Sequence, residues 1–592
     1  MSEKMITVTV DGASALVEAG SRLLDACAAA GAKVPTLCHL EGVSTNASCG
    51  VCVVEVEGAK SLVRACVGKA TDGMKVSTAS PRVMRARRNS VELLLANHPA
   101  ECLTCPRSGS CELQDMARTL GIRDLRFRRT RPAPELDLST DGLERDNDKC
   151  ILCGRCVAVC SEVQGVSAIA FAGRGIKTHI GTFLDGGLGA SPCVQCGQCS
   201  VVCPTGAITE RDDTEEVWRS LADSTKTVAV QTAPAIRASL GEALGMPPGS
   251  LVTGKMVAAL RRLGFDKVFD TQFTADLTIM EEGSELIQRL TKGGTLPMIT
   301  SCSPGWINFI EYFYPSLLPH LSTCKSPQQM FGAVAKSYFA EKTGIDPSAL
   351  LVASIMPCTA KKHEAKRPEM RGAWEYWKEK AGGKGSGTAP YYDVDWALTT
   401  RELARMITRA GIDIARLPEE EFDDPLGRST GAATIFGTTG GVMEAALRTV
   451  YEIVTGTALP SLDFEAVRGL EGIKMAEVDL AGTQVRVAVA HTLKNARVLL
   501  DEIVAGKSPY HFIEVMTCPG GCIGGGGQPV RVDQAKREAR NAAMYVEDRR
   551  LNLRKSHENP AVKALYEEFL GEPLGHLSHE LLHTKYQQRA QG

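Results

Sequence analysis

Cysteine is the residue type with the most chemistry to offer in this chain, which contains 21 of them. Sixteen lie within the first 203 residues, and the other five follow after a long gap, at Cys302, Cys324, Cys358, Cys518 and Cys522. Thiolates are soft ligands that bind iron–sulfur clusters and zinc. The first residues, MSEKMITVTVDG, lack the regions of an export signal, so we expect a reducing cytoplasm in which disulfides are disfavoured. The cysteine pattern therefore predicts metal centres.

The first two groups of candidate ligands each contain four side chains at short spacings. They are Cys38, Cys49, Cys52 and Cys66 in the first group, and His98, Cys102, Cys105 and Cys111 in the second. Both groups suit an iron–sulfur cluster, but zinc accepts the same donors, so a structural zinc site is the alternative for each. His98 has a second alternative, an ordinary solvated loop histidine. Cys27 is expected to be a small buried apolar side chain outside the first group.

Two runs with the spacing C-x2-C-x2-C-x3-C follow. Their cysteines are Cys150, Cys153, Cys156 and Cys160, then Cys193, Cys196, Cys199 and Cys203. This spacing is that of bacterial two-cluster ferredoxins, in which the fourth cysteine of each run binds the other cluster. We therefore expect Cys203 to complete the first set of three and Cys160 to complete the second. The first run lacks the usual following proline, which supplies no ligand.

Hydrophobic periodicity indicates the elements that carry the first groups. Residues 4–10 alternate as a strand, Asp11-Gly12 is a hairpin signal, and residues 15–32 contain a strand and a helix. Such a compact start is typical of a β-grasp module. Residues 131–149 are rich in proline and aspartate and predict a linker.

Short buried strands alternate with helices from about residue 226 to about residue 520, which indicates an α/β domain. The pattern predicts helices over 254–263 and 275–291 and a strand over 267–270. Residues 373–390 are rich in glycine and lysine and predict an exposed insertion.

Length and charge narrow the class of protein. At 592 residues, the chain is long enough for about three to five domains. The net charge of −2, from 67 basic and 69 acidic residues, gives no reason to expect nucleic acid or an acidic membrane surface as a partner. No run of 18 apolar residues is present, so no membrane span is expected.

Three sequence runs surround most of the remaining cysteines: TSCSPGW (300–306), IMPCTAKKHE (355–364) and EVMTCPGGCIGGGGQP (514–529). They resemble the three signature motifs of the iron–iron hydrogenases, as do KSPQQMFGA (325–333), TTRELARM (399–406), FGTTGGVMEAALR (436–448) and RKSHENP (554–560). The glycine-rich run could otherwise be a phosphate loop, but it lacks the GK(S/T) ending. The resemblance covers nearly the whole chain, and the order of modules looks like the catalytic subunit of NAD(P)-linked, electron-bifurcating multi-subunit hydrogenases.

The resemblance implies a multidomain α+β and α/β fold. It predicts a β-grasp 2Fe–2S ferredoxin-type domain (1–80), a 4Fe–4S domain with one histidine and three cysteine ligands (81–130), a domain with two 4Fe–4S clusters (141–211), a two-lobed α/β catalytic domain (226–530) and a helical region similar to the iron hydrogenase small subunit (531–592). The expected cofactors are one 2Fe–2S cluster, three relay 4Fe–4S clusters and an H-cluster. In that family the H-cluster is a 4Fe–4S cubane joined to a diiron azadithiolate unit with carbon monoxide and cyanide ligands.

The resemblance also implies roles for individual residues. Cys358 and Cys518 match ligands of the cubane, Cys522 matches the bridge to the diiron unit, and Lys361 matches the lysine that binds a cyanide. Three residues match those that line the diiron pocket in the family: Pro234, Met356 and Met516. Four match the family's proton path: Cys302, Glu282, Ser322 and Glu285. The alternative for Lys361 is an ordinary surface lysine, and the alternative for the two methionines is ordinary core packing. The alternative for Glu282 and Glu285 is a solvated helix face.

Position 303 departs from the family, whose first motif reads TSCCP where this chain has Cys302-Ser303. In the family the first cysteine relays protons and the second binds the cubane, so Ser303 occupies the ligand position. Three explanations remain open. In the first, the Ser303 oxygen, a harder donor, binds iron. In the second, Cys302 becomes the ligand, and in the third, Cys324 approaches and substitutes.

The function implied by the resemblance is reversible hydrogen oxidation and proton reduction, with electrons relayed to partner subunits. No GxGxxG run follows a strand, so we expect NAD(P)H to bind a flavin partner subunit, beside a small thioredoxin-like 2Fe–2S subunit. Ferredoxin and maturation proteins are further expected partners. The alternatives are a hydrogen sensor with low turnover because of Ser303, a non-enzymatic iron–sulfur assembly protein, and an electron-relay subunit like those of complex I or formate dehydrogenase.

Overall fold

The first unit of the fold is a small β-sheet domain. The computed structural model describes residues 4–131, 136–381, 389–480 and 482–589. Its first elements are β1 (Met5–Val10), β2 (Ala13–Glu18), α1 (Leu23–Ala29), β3 (His39–Leu40), β4 (Ser44–Thr45), β5 (Val53–Val56), β6 (Val63–Arg64) and β7 (Lys75–Ser77). Five strands form one sheet in the order β2-β1-β7-β5-β6. Asp11 and Gly12 both have positive φ, as a two-residue hairpin turn requires, so the predicted hairpin is confirmed.

Two helices hold the loop that contains the second group of candidate ligands. They are α2 (Pro81–Ala96) and α3 (Glu112–Thr119). Ser80 caps α2 by accepting a hydrogen bond from the Val83 amide at 3.3 Å, and Pro81 occupies the first turn, where no amide hydrogen is needed. The loop between the helices is therefore anchored at both ends.

Two similar half-units follow, each with a short helix among its cysteines. Their elements are β8 (Leu136–Asp137), β9 (Leu143–Asp146), α4 (Arg155–Ala158), β10 (Ala170–Ala172), β11 (His179–Gly181), α5 (Gln198–Val202) and β12 (Ile208–Glu210). Gly154 and Gly197 precede α4 and α5 with φ of 75° and 71°, which reflects the internal repeat. The linker predicted over 131–149 is wrong from residue 136 onward, because β9 pairs with β8 and β12 and buries Leu143. Residues 132–135 lie outside the described part.

The rest of the chain contains two four-stranded sheets. Their strands are β13 (Thr227–Thr232), β14 (Lys267–Asp270), β15 (Met298–Ile299), β16 (Leu350–Met356), β17 (Trp396–Thr399), β18 (Ile473–Leu480), β19 (Thr483–His491) and β20 (Phe512–Met516). The first sheet is parallel, in the order β14-β13-β16-β17. The second has the order β15-β20-β19-β18, in which only β18 is antiparallel. These two sheets are the two lobes.

Helices cover both lobes and continue to the end of the described chain. They are α6 (Thr214–Leu221), α7 (Leu240–Ala243), α8 (Thr253–Leu263), α9 (Gln272–Lys292), α10 (Pro304–Phe313), α11 (Pro327–Val334), α12 (Ala340–Thr343), α13 (Ala360–Ala365), α14 (Gly372–Lys380), α15 (Thr400–Arg409), α16 (Gly431–Ile435), α17 (Gly441–Thr455), α18 (Leu493–Val504), α19 (Gln534–Arg550), α20 (Pro560–Leu565) and α21 (His576–Leu582). The helices predicted around α8 and α9, and the strand β14, are confirmed.

The insertion predicted over 373–390 is wrong in its first part. Helix α14 begins with Gly372 and Ala373 buried, and both amides donate to the carboxylate of Asp393, at 3.0 and 2.9 Å. Residues 382–388 lie outside the described part. Within the described residues, no helix combines the length and apolar character needed to cross a membrane.

A buried ion network ties the C-terminal helices to the second lobe. The guanidinium of Arg448 on α17 is fully buried and donates to both carboxylate oxygens of Asp548 on α19, at 3.0 and 2.9 Å. It also donates to Glu444 at 2.6 Å. Paired planar contacts of this kind are strong and geometrically specific.

Replacing Arg448 with methionine should leave buried carboxylates short of a partner and destabilise the protein by about 3 kcal/mol. We expect the midpoint of anaerobic thermal unfolding, followed by circular dichroism, to fall by several degrees. The matched control is Arg428→Met, because Arg428 pairs with Asp424 while both side chains are more than half exposed. Equal shifts in the two variants would contradict the role of the buried network.

Candidate metal centres and active site

The first group of four cysteines converges inside the N-terminal domain. Cys38, Cys49, Cys52 and Cys66 are all buried, and the sulfurs of Cys52 and Cys66 lie 3.3 Å apart. Cys27 lies separately in the hydrophobic core of the sheet, where burial raises the pKa of its thiol to about 11. The four sulfurs could hold a 2Fe–2S cluster or zinc, whereas Cys27 has the surroundings of a packing residue.

His98 is arranged as a ligand. Its Nδ1 lies 2.9 Å from the backbone oxygen of Pro99, and its buried Nε2 has no hydrogen-bond partner among the described residues. One cavity is lined by His98 together with Cys102, Cys105 and Cys111. The bond at Nδ1 makes Nδ1 the protonated nitrogen and leaves a lone pair on Nε2, as a metal ligand requires. A solvated loop histidine would not be buried in this way.

The two ferredoxin-like runs form two cavities with exchanged fourth cysteines. One cavity is lined by Cys150, Cys153, Cys156 and Cys203, and the other by Cys160, Cys193, Cys196 and Cys199. Burial raises the pKa of the thiols of Cys150, Cys153 and Cys156, which share one cavity. For Cys153 the pKa rises to about 12. Nearby arginines only partly offset this burial, and iron would supply the further positive charge that thiolates need. The donor sets therefore fit two 4Fe–4S clusters.

Nine of the predicted site residues meet in one cavity of about 80 Å³ between the lobes. It lies just beyond the carboxyl ends of parallel strands, where α/β proteins usually bind ligands. Ala233 and Pro234 follow β13, Cys358 follows β16, and Cys518 follows β20. The further predicted residues that line it are Cys302, Ser303, Met356, Lys361, Met516 and Cys522.

The glycine-rich run brings three parts of the chain into close contact. A Cβ atom at Gly525 would lie 2.0 Å from the Pro357 oxygen, and one at Gly526 would lie 2.1 Å from the Cys196 oxygen. At these two positions glycine makes room for the backbone of neighbouring segments. Thr359 Oγ1 also donates to the Gln195 oxygen at 2.7 Å. The last ferredoxin-like run therefore touches the motifs of the cavity directly.

Lys361 is buried at the cavity rather than on the surface. Its Nζ donates to the Cys302 backbone oxygen at 3.2 Å and to Glu364 Oε2 at 2.9 Å. Gln328, which also lines the cavity, donates to the same Glu364 oxygen at 3.2 Å. A paired ammonium can be buried at modest cost and remains available to an anionic ligand. Sequence reasoning missed Gln328 and Glu364, although both lie in quoted motif runs.

Ser303 lies at the cavity and Cys324 does not. Ser303 Oγ lies 2.8 Å from Thr517 Oγ1 and accepts a hydrogen bond from the Thr517 amide at 3.3 Å. Cys324 is fully buried in a separate hydrophobic cluster of the first lobe. The structure does not bring Cys324 to the cavity, because its side chain belongs to the cluster that also contains residues of α11 and α21. Thr517 was not recognised from the sequence.

The predicted proton-path carboxylates lie behind the cavity on α9. Glu282 is buried, neither carboxylate oxygen has a hydrogen-bond partner among the described residues, and burial raises its pKa to about 8. Glu285 Oε2 accepts from Ser322 Oγ at 3.1 Å, and its Oε1 accepts from Arg289 at 2.5 Å. Burial raises the pKa of Cys302 well above its ordinary value, and the Glu282 carboxylate contributes. Both glutamates are thus buried, unlike those of a solvated helix face.

Fold and site together define a multicluster iron–sulfur redox protein with an enclosed catalytic cavity. Family models match in the same order: a 2Fe-2S iron–sulfur cluster binding domain (3–81), the NADH-ubiquinone oxidoreductase-G iron–sulfur binding region (87–126), a 4Fe-4S dicluster domain (149–207), the C-terminal domain of the iron only hydrogenase large subunit (226–526) and the iron hydrogenase small subunit (534–589). The chain belongs to the iron-only, or FeFe, hydrogenase family.

Individual relatives agree with this assignment. The chain is 50% identical over 597 residues to the NADP-reducing hydrogenase subunit HndD of Solidesulfovibrio fructosivorans, with 99% of each chain covered. It is 39% identical to Iron hydrogenase 1 of Clostridium pasteurianum, over 98% of this chain and 100% of that one. A structure of the FeFe-hydrogenase HydA1 from Chlamydomonas reinhardtii matches with a TM-score of 0.56 and 45% identity, covering 64% of this chain and 99% of that chain. The predicted family, fold class and enzyme class are confirmed.

Removing the imidazole of His98 should cost the protein one cluster. We expect His98→Ala, purified without oxygen, to contain less iron and acid-labile sulfide per chain than the unaltered protein, because a buried site with three donors binds a four-iron cluster poorly. His179→Ala is the control, since the His179 side chain is partly exposed and pairs with Asp185. Unchanged iron in His98→Ala would show that His98 is not a ligand.

Proposed function

We propose that this hydrogenase interconverts hydrogen with protons and electrons at an H-cluster held in the cavity between the lobes. The observation that carries the proposal is the convergence of Cys358, Cys518 and Cys522 with the buried Lys361 at one set of strand ends. When bound, the cubane and its diiron unit would supply the electron-accepting metal centre and the open iron position at which hydrogen reacts. The polypeptide supplies ligands, a dry pocket and a proton path.

Each group at the cavity has a separate task in this proposal. Cys358 and Cys518 would hold the cubane, and Cys522 would link it to the diiron unit. Pro234, Met356 and Met516 form an apolar wall that excludes water. Lys361, oriented by Glu364 at 2.9 Å, would offer its ammonium to a cyanide ligand.

Protons would leave the cavity through Cys302, Glu282, Ser322 and Glu285. A carboxyl whose pKa lies near 8 can both accept and release protons under physiological conditions, as Glu282 would have to do. Ser322 already donates to Glu285 at 3.1 Å. Both Glu282 oxygens lack a hydrogen-bond partner among the described residues, and this carboxyl interacts electrostatically with Cys302 on one side and with Ser322 on the other.

Electrons would travel through one 2Fe–2S and three 4Fe–4S clusters. Three contacts support such a route. Asn46 donates to the Cys153 oxygen at 3.0 Å and Arg107 donates to the Cys203 oxygen at 2.6 Å, so the two N-terminal sets both reach the cavity that Cys153 and Cys203 share. Gly526 packs on Cys196, which lines the other ferredoxin-like cavity, and the exchanged fourth cysteines link these two cavities.

Position 303 is best explained by a serine at the cubane with Cys302 as the relay. Ser303 lines the cavity next to Thr517, which directly precedes the proposed ligand Cys518, whereas Cys302 lies close to Lys361, Cys522 and Glu282. If the serine oxygen weakens the cubane, a hydrogen sensor with low turnover is the second candidate. The hydrogen bond to Thr517 favours that second candidate, because it competes with ligation by the same oxygen.

The proposed partners are a flavin subunit that uses NAD(P)H, a small thioredoxin-like 2Fe–2S subunit, ferredoxin and maturation proteins, all in the cytoplasm. The name of the relative HndD, a subunit of an NADP-reducing hydrogenase, supports such an assembly.

The proposed function predicts iron-bound carbonyl and cyanide stretches in the infrared spectrum of the protein matured and purified without oxygen. These bands should shift under hydrogen, and the unaltered protein should reduce an artificial dye with hydrogen. Cys522→Ala, which lacks the bridging sulfur, should carry few or none of the bands. Absence of bands in fully matured protein would contradict the proposal and leave an electron-relay role.

The assignment of Ser303 predicts that Ser303→Cys changes the electron spin resonance signal of the reduced cubane, because thiolate is a softer ligand than a serine oxygen. Thr517→Val is the control, since it removes the hydrogen bond to Ser303 without adding a thiolate. An unchanged signal and unchanged activity in Ser303→Cys would exclude Ser303 as a ligand.

A further inference from the structure

Arg107 is a buried cation in the loop between α2 and α3, two positions after the candidate ligand Cys105. The residue is only 5% exposed. One terminal nitrogen of its guanidinium donates to the backbone oxygen of Cys203 at 2.6 Å, and its Nε has no hydrogen-bond partner among the described residues. A guanidinium keeps its proton in a protein interior, so Arg107 brings one fixed positive charge into this part of the structure.

Among the residues that the structure describes, no carboxylate forms an ion pair with Arg107. Glu210 lies near enough to influence it, but that carboxylate accepts a hydrogen bond from Arg401 Nε at 2.9 Å instead. Another buried arginine of the relay domains, Arg155, does have such a partner and pairs with Glu112 at 2.8 Å. A buried cation without a counter-charge is costly, so a different negative group is expected beside Arg107.

Two candidate cluster ligands from different sets lie close to Arg107. Cys203 lines the cavity of the first ferredoxin-like run, and Cys111 lines the cavity of the second candidate group. Burial lowers the pKa of Arg107, and both of these thiols oppose that change when they are ionised. The two loops also pack closely, since a Cβ atom at Gly206 would lie 2.9 Å from Cys105 Sγ and 3.4 Å from Arg107 Cγ. Arg107 therefore lies between two candidate 4Fe–4S sites.

The charge of a buried side chain acts on the reduction potential of a neighbouring cluster. A cluster with thiolate ligands gains one negative charge on reduction, and its potential depends on the net charge around it. A fixed cation in an interior of low dielectric constant stabilises the more negative, reduced form. Exposed cations have a weaker effect, because solvent and salt screen them. An unpaired, buried guanidinium between two cluster sites is therefore suited to raise their potentials.

We propose that Arg107 raises the reduction potentials of the two clusters held beside it, chiefly that of the cluster whose ligand set includes Cys203. This inference rests on the proposed electron relay. The hydrogen bond to the Cys203 oxygen fixes the guanidinium next to that site. The step concerned is the uptake of one electron by a cluster, and Arg107 exchanges neither protons nor electrons in it. Arg107 thus makes this part of the relay a better electron acceptor without binding a cluster itself.

The first test replaces Arg107 with glutamine, which keeps an amide donor for the Cys203 oxygen but has no charge. In protein produced without the diiron unit, electron spin resonance during a redox titration gives the midpoint potential of each relay cluster. We expect the midpoint of the affected cluster to fall, with a change of about 10-fold in the reduction equilibrium, which corresponds to about 60 mV for one electron. Arg107→Lys keeps the charge and should stay close to the unaltered protein.

A third variant separates the charge from the hydrogen bond. Arg107→Met removes both the charge and the donor, so the glutamine and methionine variants should shift alike if the charge sets the potential. If the glutamine variant instead resembles the lysine variant, the hydrogen bond alone matters and the proposal is wrong. Arg107→Met also decides the question if Arg107→Gln does not accumulate with its full content of iron.

The matched control is Arg118→Gln on α3, in the same domain. The Arg118 side chain is 83% exposed and pairs with Asp115 at 3.0 Å. This variant loses the same charge, but its midpoints should equal those of the unaltered protein at physiological salt. The shift in Arg107→Gln should persist at high salt, because the site is buried.

None of these measurements requires turnover, so they can be interpreted whether or not the catalytic cavity is loaded. Unchanged midpoints in Arg107→Gln and Arg107→Met, each with full iron content, would overturn the proposal. Absence of reducible 4Fe–4S signals from the unaltered protein would instead overturn the proposed electron relay on which it rests.

Discussion

Burying thiolates and charged groups between the two lobes costs free energy, and the surrounding structure is arranged to offset that cost. Parallel strands of both sheets end at one cavity, and the loops beyond them carry Cys358, Cys518 and Cys522 into an interior where thiolates are poorly solvated. Only a cationic group can offset that cost fully. The same requirement recurs in the relay domains, where three sets of four donors each line one small cavity.

Electron transfer imposes a second constraint, which is close approach of separate domains. Glycine provides this approach, because Gly197 and Gly526 lie where any side chain would collide with the neighbouring backbone or with Thr359. The polar bonds of Asn46 and Arg107 reinforce the earlier contacts in the series. The relay domains and the catalytic lobes are thus packed together through the loops that carry the candidate ligands.

Glu282 is the exception to a pattern near the cavity, in which the buried charges of Lys361 and Glu285 each meet a group of opposite charge. Lys361 forms a charged hydrogen bond with Glu364, and Glu285 accepts one from Arg289. Glu282 lacks any hydrogen-bond partner among the described residues and has a raised pKa because it is buried. A group that changes its protonation state during turnover cannot be locked by a permanent counter-charge, so the absence of one at Glu282 fits the proton path proposed for it.

Cysteine spacing within one loop is a local property, so the sequence alone was enough to predict the ligand types and their grouping. Hydrophobic periodicity also predicted α8, β14 and the first hairpin. Contacts between segments that are distant in the sequence became known only from the tertiary structure. The packing of α11 and α21 placed Cys324 away from the cavity, and pairing between β9 and β12 turned an expected linker into a sheet. Thr517 beside Ser303, and His583 beside Thr323, are neighbours only in space, more than 200 positions apart in each case. No local pattern encodes such contacts, because they form only when the two lobes and the C-terminal helices close around the cavity.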